Sequence, residues 1–586
     1  MTMALSVRYG LTMPDPSSHY YHVEIQFSGA LPDILEVRMP VWTPGSYLVR
    51  EYARHVTAVR AEGSDGVANA ARLDKASWQV SLTPGSTHLT FSYDVYAYDL
   101  TVRTSYLDRD YGLVSPTSVF MYPRHAVEGP LELQIVPPAG WDIATGLEPA
   151  GTTPGLYLAP DYDTLADAPI QMGRLTRYSF EVSGIVHTVA VGGQGRDRLP
   201  SPQFLDHLTA IVSRAASLFG GLPYRHYTFL VTLAQQGGGG LEHLNSANII
   251  VSRDRWMDPK HYANLLSLFA HEFFHLWNVK RLRPSQLGPF DYQTEVYTTL
   301  LWALEGLTDY FAQWLLAQSG VVPVTDVLKT WADNLAILEM MPGRYVTPLD
   351  ESSRLTWIRQ YRPDANTPNL TVSYYLKGAL AGIFLDLELR HATRGQQTLP
   401  GVFRSLWDQY GDRGYPESAF EAALVAAGGD AMRRALERYV HGTQDFDDSI
   451  LGDVGLDLER SLDPNDQVRV WLGLDLVERQ GRLYARFVAR GGPAESAGMA
   501  PDDEVVAVDS ERVATMDQWR AKLSRYQAGD AIRVDIFHDG ILGSLTIAAH
   551  PPRPTHYRLL PRNNASEQER QAFHAWLGSP LPSPLP

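Results

Sequence analysis

The chain has 586 residues, 44% hydrophobic and 20% charged, which is too long for one core and ordinary for a folded protein. Its formal net charge of -16 repels phosphate backbones, so no nucleic-acid partner is expected. It has no cysteine. That excludes disulfides, thiolate catalysis and thiolate metal sites, leaving His, Asp and Glu as metal ligands.

Met1 to Tyr21 lacks the basic start and apolar core of a signal peptide. No run of 18 or more apolar residues occurs, so no membrane span is expected and cytoplasm is the expected compartment. Residues 1–175 read as a β-rich, sandwich-like domain. Alternating stretches such as His22–Phe27 and Leu89–Val95 are punctuated by turns such as Thr43-Pro44-Gly45-Ser46. A strand pair near Tyr178 to Val191 opens a second unit, residues 176–460. Apolar residues there recur at three- and four-residue steps over Leu205–Phe219, Tyr262–Val279, Glu295–Gln318 and Val372–His391, predicting helices. A strand over Tyr227–Leu233 runs into the glycine cluster Gly237–Gly240. Residues 461–553 return to β character. The tail, 554–586, carries a short helix opened by a capping box, Ser566 with Glu569, and a proline-rich end. The whole reads as an α+β multidomain protein.

The chemistry concentrates at Phe269-Ala270-His271-Glu272-Phe273-Phe274-His275. Residues four apart share one helix face, so His271 and His275 can point at a single ion. Zinc accepts such nitrogen ligands with a carboxylate and keeps one position open for water. Glu272, beside the pair, is the expected general base. Two glutamates compete as third ligand. Glu295 lies near an expected helix start, where acidic residues are favourable for dipole reasons alone. Glu305 sits among Leu, Trp and Phe, where a carboxylate needs a partner, and it is preferred. Asp309, one turn on, is either an acceptor for a ligand imidazole or a solvated helix residue.

Four segments resemble the glycyl aminopeptidases, gluzincin metallopeptidases that carry a PDZ domain. They are His271–Pro284 (HEFFHLWNVKRLRP), Leu301–Phe311 (LWALEGLTDYF), Gly237–Ser246 (GGGGLEHLNS) and Pro40–Val56 (PVWTPGSYLVREYARHV). The resemblance covers nearly the whole chain and implies a thermolysin-like catalytic domain followed by a PDZ-like domain. It implies one Zn2+ per chain on His271, His275 and Glu305, with Glu272 as base. Glu242 corresponds to the residue that binds the substrate's free α-amine, and Gly239 and Gly240 lie on a strand that admits the peptide backbone. Tyr375 matches a Tyr-x-Lys-Gly element whose phenol stabilises the oxyanion; the adjacent Tyr374 leaves that assignment open by one residue. Lys280, Arg281 and Arg283 are either substrate-binding or structural ion-pair residues.

The PDZ-like region shows Leu472-Gly473-Leu474 as a carboxylate-loop candidate, where a peptide can add as a strand. It departs from the pattern at Asp502, which stands where a glycine is usual. The expected activity is removal of small N-terminal residues, glycine and alanine, from peptides with a free amino end. The alternatives are a zinc endopeptidase or oligopeptidase, and a PDZ-based peptide-binding protein with weak catalysis.

Overall fold

The computed structural model describes residues 5–124 and 129–583. The last proline-rich residues of the tail, 584–586, lie outside the described residues. The structure is of mixed α/β class, with a β-rich N-terminal domain, a helical middle and a β-rich C-terminal domain. It divides into two compact units that the chain enters more than once. The first holds residues 1–297, 311–321 and 404–417; the second holds 298–310, 322–403 and 418–586.

In the first unit the N-terminal strands gather into one eleven-stranded path and a second sheet of four. Strands Tyr20–Ser28 and His88–Tyr96 pair antiparallel along their full length, with inward and outward residues alternating. Tyr21, Val23, Ile25 and Phe27 thereby stand opposite Val95, Tyr93, Phe91 and Leu89, all buried. This cross-strand apolar pairing fixes the register, since a one-residue slip would turn every one of them outward.

Next comes a five-stranded sheet in the order Thr176–Val182, Ile185–Gly193, Tyr227–Ala234, Ser246–Ser252, Gly238–Glu242. Tyr227–Ala234 is parallel to both its neighbours and buried at every position, as expected for a strand covered on two faces. The last strand runs antiparallel and forms the sheet's edge. The motif helix, Tyr262–Phe274, lays Phe269 against Phe229 and Phe204, and Phe273 against Tyr227. Its periodicity suggests helix to Val279, but the helix stops at Phe274. From there the carbonyl of His275 accepts from both Val279 N and Lys280 N, and the chain turns tightly.

In the second unit a long helix, Tyr374–Thr393, is buried along most of its length. The segment Thr367–Thr393 is long and apolar enough to pass a length-and-composition test for a membrane span, but 78% of its most apolar window is buried inside the protein, as in a core helix. The C-terminal β-rich domain has an antiparallel sheet in the order Leu474–Arg479, Arg482–Val488, Glu504–Val508, Ala531–His538, Ile541–Ala548, closed on a core of Leu483, Val505, Ile532, Val534 and Ile547. Asp502 takes a left-handed φ of 67°, a conformation Asp tolerates. The tail is tied in: its strand His556–Pro561 pairs with Leu456–Ser461, and its capping-box helix, Glu567–Leu577, inserts Trp576 against Trp331 at 5.2 Å.

Candidate active site

On the motif helix, the Nε2 atoms of His271 and His275 lie 2.9 Å apart. The other nitrogen of His275, Nδ1, is 2.7 Å from the Asn278 carbonyl, an acceptor only. Nδ1 therefore carries the proton and Nε2 presents a lone pair. Two ring nitrogens facing one another at this distance need a proton or a cation between them. Glu272, one residue on from His271, is buried, and its carboxyl lies over the glycine edge strand. A Cβ at Gly240 would coincide with that carboxyl.

Glu242 ends the edge strand and is 4% exposed. One oxygen each of Glu242 and Glu272 and one ring nitrogen of His275 all lie within 4.8 Å of one another. Gly239, on the same strand, adopts a φ of +123° with open space around it, a conformation that favours glycine. The N-terminal turn closes over Glu242 from the other side. Gly45, at φ +82°, comes so near that a Cβ there would stand 2.5 Å from Glu242 Oε1. Trp42, Tyr47 and Phe290 surround the small cavity left beside the carboxylate, with Trp42 stacked on Tyr47 and edge-on to Phe290.

The three cations after the helix divide. Lys280 Nζ is 2.6 Å from Asp167 Oδ1, which also receives His243 at 3.1 Å, while Leu244 N donates to its other oxygen. Burial opposes the Asp167 charge, but Lys280 and His243 outweigh it and hold the carboxyl at about 2. Arg281 is buried and donates to the carbonyls of Leu244, Leu276 and Pro223 and to Asn245 Oδ1. Both are thus engaged by groups of the protein itself. Arg283 lines the Glu242 cavity while donating to Lys280 O.

Glu295 is exposed in a loop, bonded to the Tyr297 hydroxyl, and the helix expected from 295 starts only after Leu301. Within the second unit, Glu305 is 3% exposed on a π-helical turn, Trp302–Gly306, that leads into helix Leu307–Gln318. Asp309 follows, half-buried. Gly306 packs backbone to backbone on the tyrosine helix: a Cβ there would sit 2.5 Å from Gly378 Cα and from Tyr374 O. Tyr374 is fully buried, its hydroxyl 3.0 Å from Thr356 Oγ1. Tyr375 is partly exposed, its ring stacked on Tyr374 at 4.8 Å.

Sequence profiles match three stretches: the Peptidase M61 N-terminal domain over residues 8–174, the M61 glycyl aminopeptidase over 264–381, and a PDZ domain over 470–548. A crystal structure of an aminopeptidase N family protein from Idiomarina loihiensis is 30% identical, with a TM-score of 0.90, covering 97% of this chain and 100% of that one. The chain belongs to the M61 glycyl aminopeptidase family. An M1 zinc metallopeptidase from Deinococcus radiodurans is more distant, 16% identical at a TM-score of 0.47 over 75% of this chain and 95% of that one. Comparison with curated proteins gives no match.

As an M61 family member the chain is a zinc metallopeptidase of aminopeptidase type. The facing imidazoles fit that metal: two nitrogen donors, the His275 tautomer fixed by a backbone carbonyl, and no thiolate to compete. Sequence reasoning missed Asp167 and His243 under Lys280, and the turn at Gly45 over Glu242. Asp167 lies 113 positions from its lysine, with no local pattern to reveal it. The turn carried a signal, a Trp-Thr-Pro-Gly run, but nothing to say which carboxylate it meets.

Proposed function

We propose that this peptidase removes single small residues, glycine and alanine, from the free amino end of peptides, using one zinc held by His271, His275 and Glu305. The grouping of Glu242 with Glu272 and His275 within 4.8 Å carries this reading. A buried carboxylate is costly without a counter-charge. Of the two cations on its cavity, Lys280 is committed to Asp167 and Arg283 donates to Lys280 O, which leaves Glu242 suited to meet a substrate ammonium. A chain end anchored there leaves one residue before the bond that faces Glu272.

The glycine edge strand offers its free backbone groups to a peptide laid beside it. Glu272 takes a proton from the attacking water and returns it to the leaving amine. The partly exposed Tyr375, rather than the buried Tyr374, donates its phenol hydrogen to the carbonyl oxygen as that oxygen gains charge. When bound, zinc supplies Lewis acidity and brings the pKa of a coordinated water to about 7. Trp42, Tyr47 and Phe290 leave little room beside Glu242, which favours a first residue with a small side chain or none. A peptide carboxylate at Leu472–Leu474 of the PDZ domain is the second partner this reading includes.

The test is hydrolysis of glycyl-, alanyl- and leucyl-p-nitroanilide, with metal analysis and a Glu272→Gln control. Cleavage of the first two, abolished by the substitution with one zinc per chain retained, is expected. N-acetylation should abolish it too. Equal cleavage of acetylated peptides would replace the aminopeptidase with an endopeptidase.

A further inference from the structure

In the second unit, one side chain joins the PDZ domain to the segment that carries the tyrosine pair. Asn369, on the short helix Thr367–Leu370, is 8% exposed. Its Nδ2 donates to Val488 O at 2.9 Å, and its Oδ1 accepts from Arg490 N at 2.8 Å. A carbonyl only accepts and an N–H only donates, so these partners fix which way the amide faces. The side chain grips the backbone as a neighbouring strand would, and both bonds are buried enough to be costly to lose.

What Asn369 grips is hydrogen-bonded in turn to the carboxylate-loop candidate. Ala489, between the two gripped residues, donates to Gly473 O at 2.8 Å, and Ala494 N donates to Leu472 O at 2.9 Å. On the other side, the residues leading from Asn369 to the tyrosines have little slack. Leu370 O accepts from Thr347 Oγ1 at 2.6 Å, and Val372 O accepts from Ser352 Oγ at 2.5 Å. Ser373 then caps the tyrosine helix through Leu376 N, and Tyr374 bonds Thr356. Only the tethered run 370–374 therefore separates Asn369 from Tyr375.

We propose that Asn369 is a positioning residue that couples the carboxylate loop of the PDZ domain to Tyr375, so that disturbing the loop changes turnover rather than substrate affinity. This rests on the role given to Tyr375 above. Hydrogen bonds join the loop to Asn369, and the short tethered run 370–374 joins Asn369 to Tyr375; substitutions on such connected paths typically shift a coupled property by about 2- to 30-fold.

The experiment uses the full-length, zinc-loaded enzyme and alanyl-p-nitroanilide. Asn369→Ala is expected to lower kcat about tenfold with KM within about twofold. Asn369→Asp keeps the acceptor for Arg490 N but sets a second oxygen against Val488 O, and should lose at least as much. Gly473→Ala disturbs the loop directly, because at φ +68° its Cβ would stand 3.2 Å from Gly492 Cα and 3.3 Å from Pro493 Cδ. It should lower kcat in the otherwise native enzyme and have no further effect alongside Asn369→Ala. Asn369→Ala should likewise add nothing to Tyr375→Phe. Native kcat in a folded Asn369→Ala variant, or additive losses with Gly473→Ala, would overturn the coupling. If Asn369→Ala melts out of the assay range, Gly473→Ala, alone and combined with Tyr375→Phe, carries the same test. A zinc-loaded native enzyme that leaves the substrate uncut overturns the proposed function and the coupling together; a native enzyme that cuts it while the variants match it overturns the coupling alone.

Discussion

Gly240 illustrates how one missing side chain shapes the site. The Glu272 carboxyl occupies the place a Cβ would take, so Gly240→Ala must displace either the edge strand or the base. A displacement near 1 Å is enough to cost about 10²-fold in kcat, and that loss, with zinc content unchanged, is the expected outcome. In the proposed function Glu242 acts on binding instead. Glu242→Gln keeps the shape and removes the charge, and a charge-assisted bond contributes about 1.5–3 kcal/mol. KM for a free-amine substrate should rise about tenfold or more. Both residues stood out in the sequence, because a glycine run followed by an acid is a local pattern, and the structure sets both beside Glu272. The choice between Tyr374 and Tyr375 was not, since one step along a helix turns a side chain about 100° and only packing decides which faces in. Lys280 and Arg281 were equally illegible, because their partners come from distant parts of the chain. Lys280→Met would leave the largely buried Asp167 with only His243 and Leu244 N to offset its charge. Removing one partner of such a pair typically costs about 3–5 kcal/mol, readable as a lower melting temperature.

At the scale of elements, apolar periodicity finds the right helices with the wrong ends. The period over Glu295–Gln318 is real, but the helix begins after Leu301 and opens with a π turn. Periodicity cannot show an extra residue per turn, because a single wide turn shifts the pattern too little over so short a span. That turn is where Glu305 sits, in keeping with the tendency of π turns to mark functional positions. The wide turn meets the tyrosine helix through Gly306 and Gly378, two glycines whose backbones touch. Gly306→Ala would force the two elements apart. Overpacking of this kind costs about 1–3 kcal/mol, and activity should fall with it, measured as a lowered melting temperature and a lowered kcat. The motif helix ends early for a different reason: the turns after His275 hold Asn278 O where it fixes the imidazole.

At the scale of the whole molecule, the sequence reads as domains in a row, while the fold interleaves them. Residues 311–321 complete the first unit although 298–310 belong to the second. Phe311 stacks on Phe274 at 4.4 Å, and Gln313 bonds Ser267 on the motif helix. A fragment ending at residue 297 would lack these contacts and should show no cooperative melting transition. The second unit carries a pH dependence of its own. His441 bonds Asp350 and Glu421, and these two carboxylates raise its pKa to about 10. A group whose pKa is raised on folding stabilises fully below its unfolded value, about 6.5, and loses that contribution as pH rises through about 10. The melting temperature should therefore decline between those limits, and His441→Asn should flatten the decline.

In the proposed function the edge strand Gly238–Glu242 is a ruler as well as a rail. Residues along an extended strand advance by about 3.3 Å, and that spacing sets where a bond falls once the chain end is fixed at Glu242. A substrate opening with β-alanine inserts one methylene between its amine and its first carbonyl. With the amine held, the carbonyl overshoots Glu272. β-Alanyl-p-nitroanilide should therefore compete with alanyl-p-nitroanilide for the enzyme and survive intact, a tape cut to the wrong graduation.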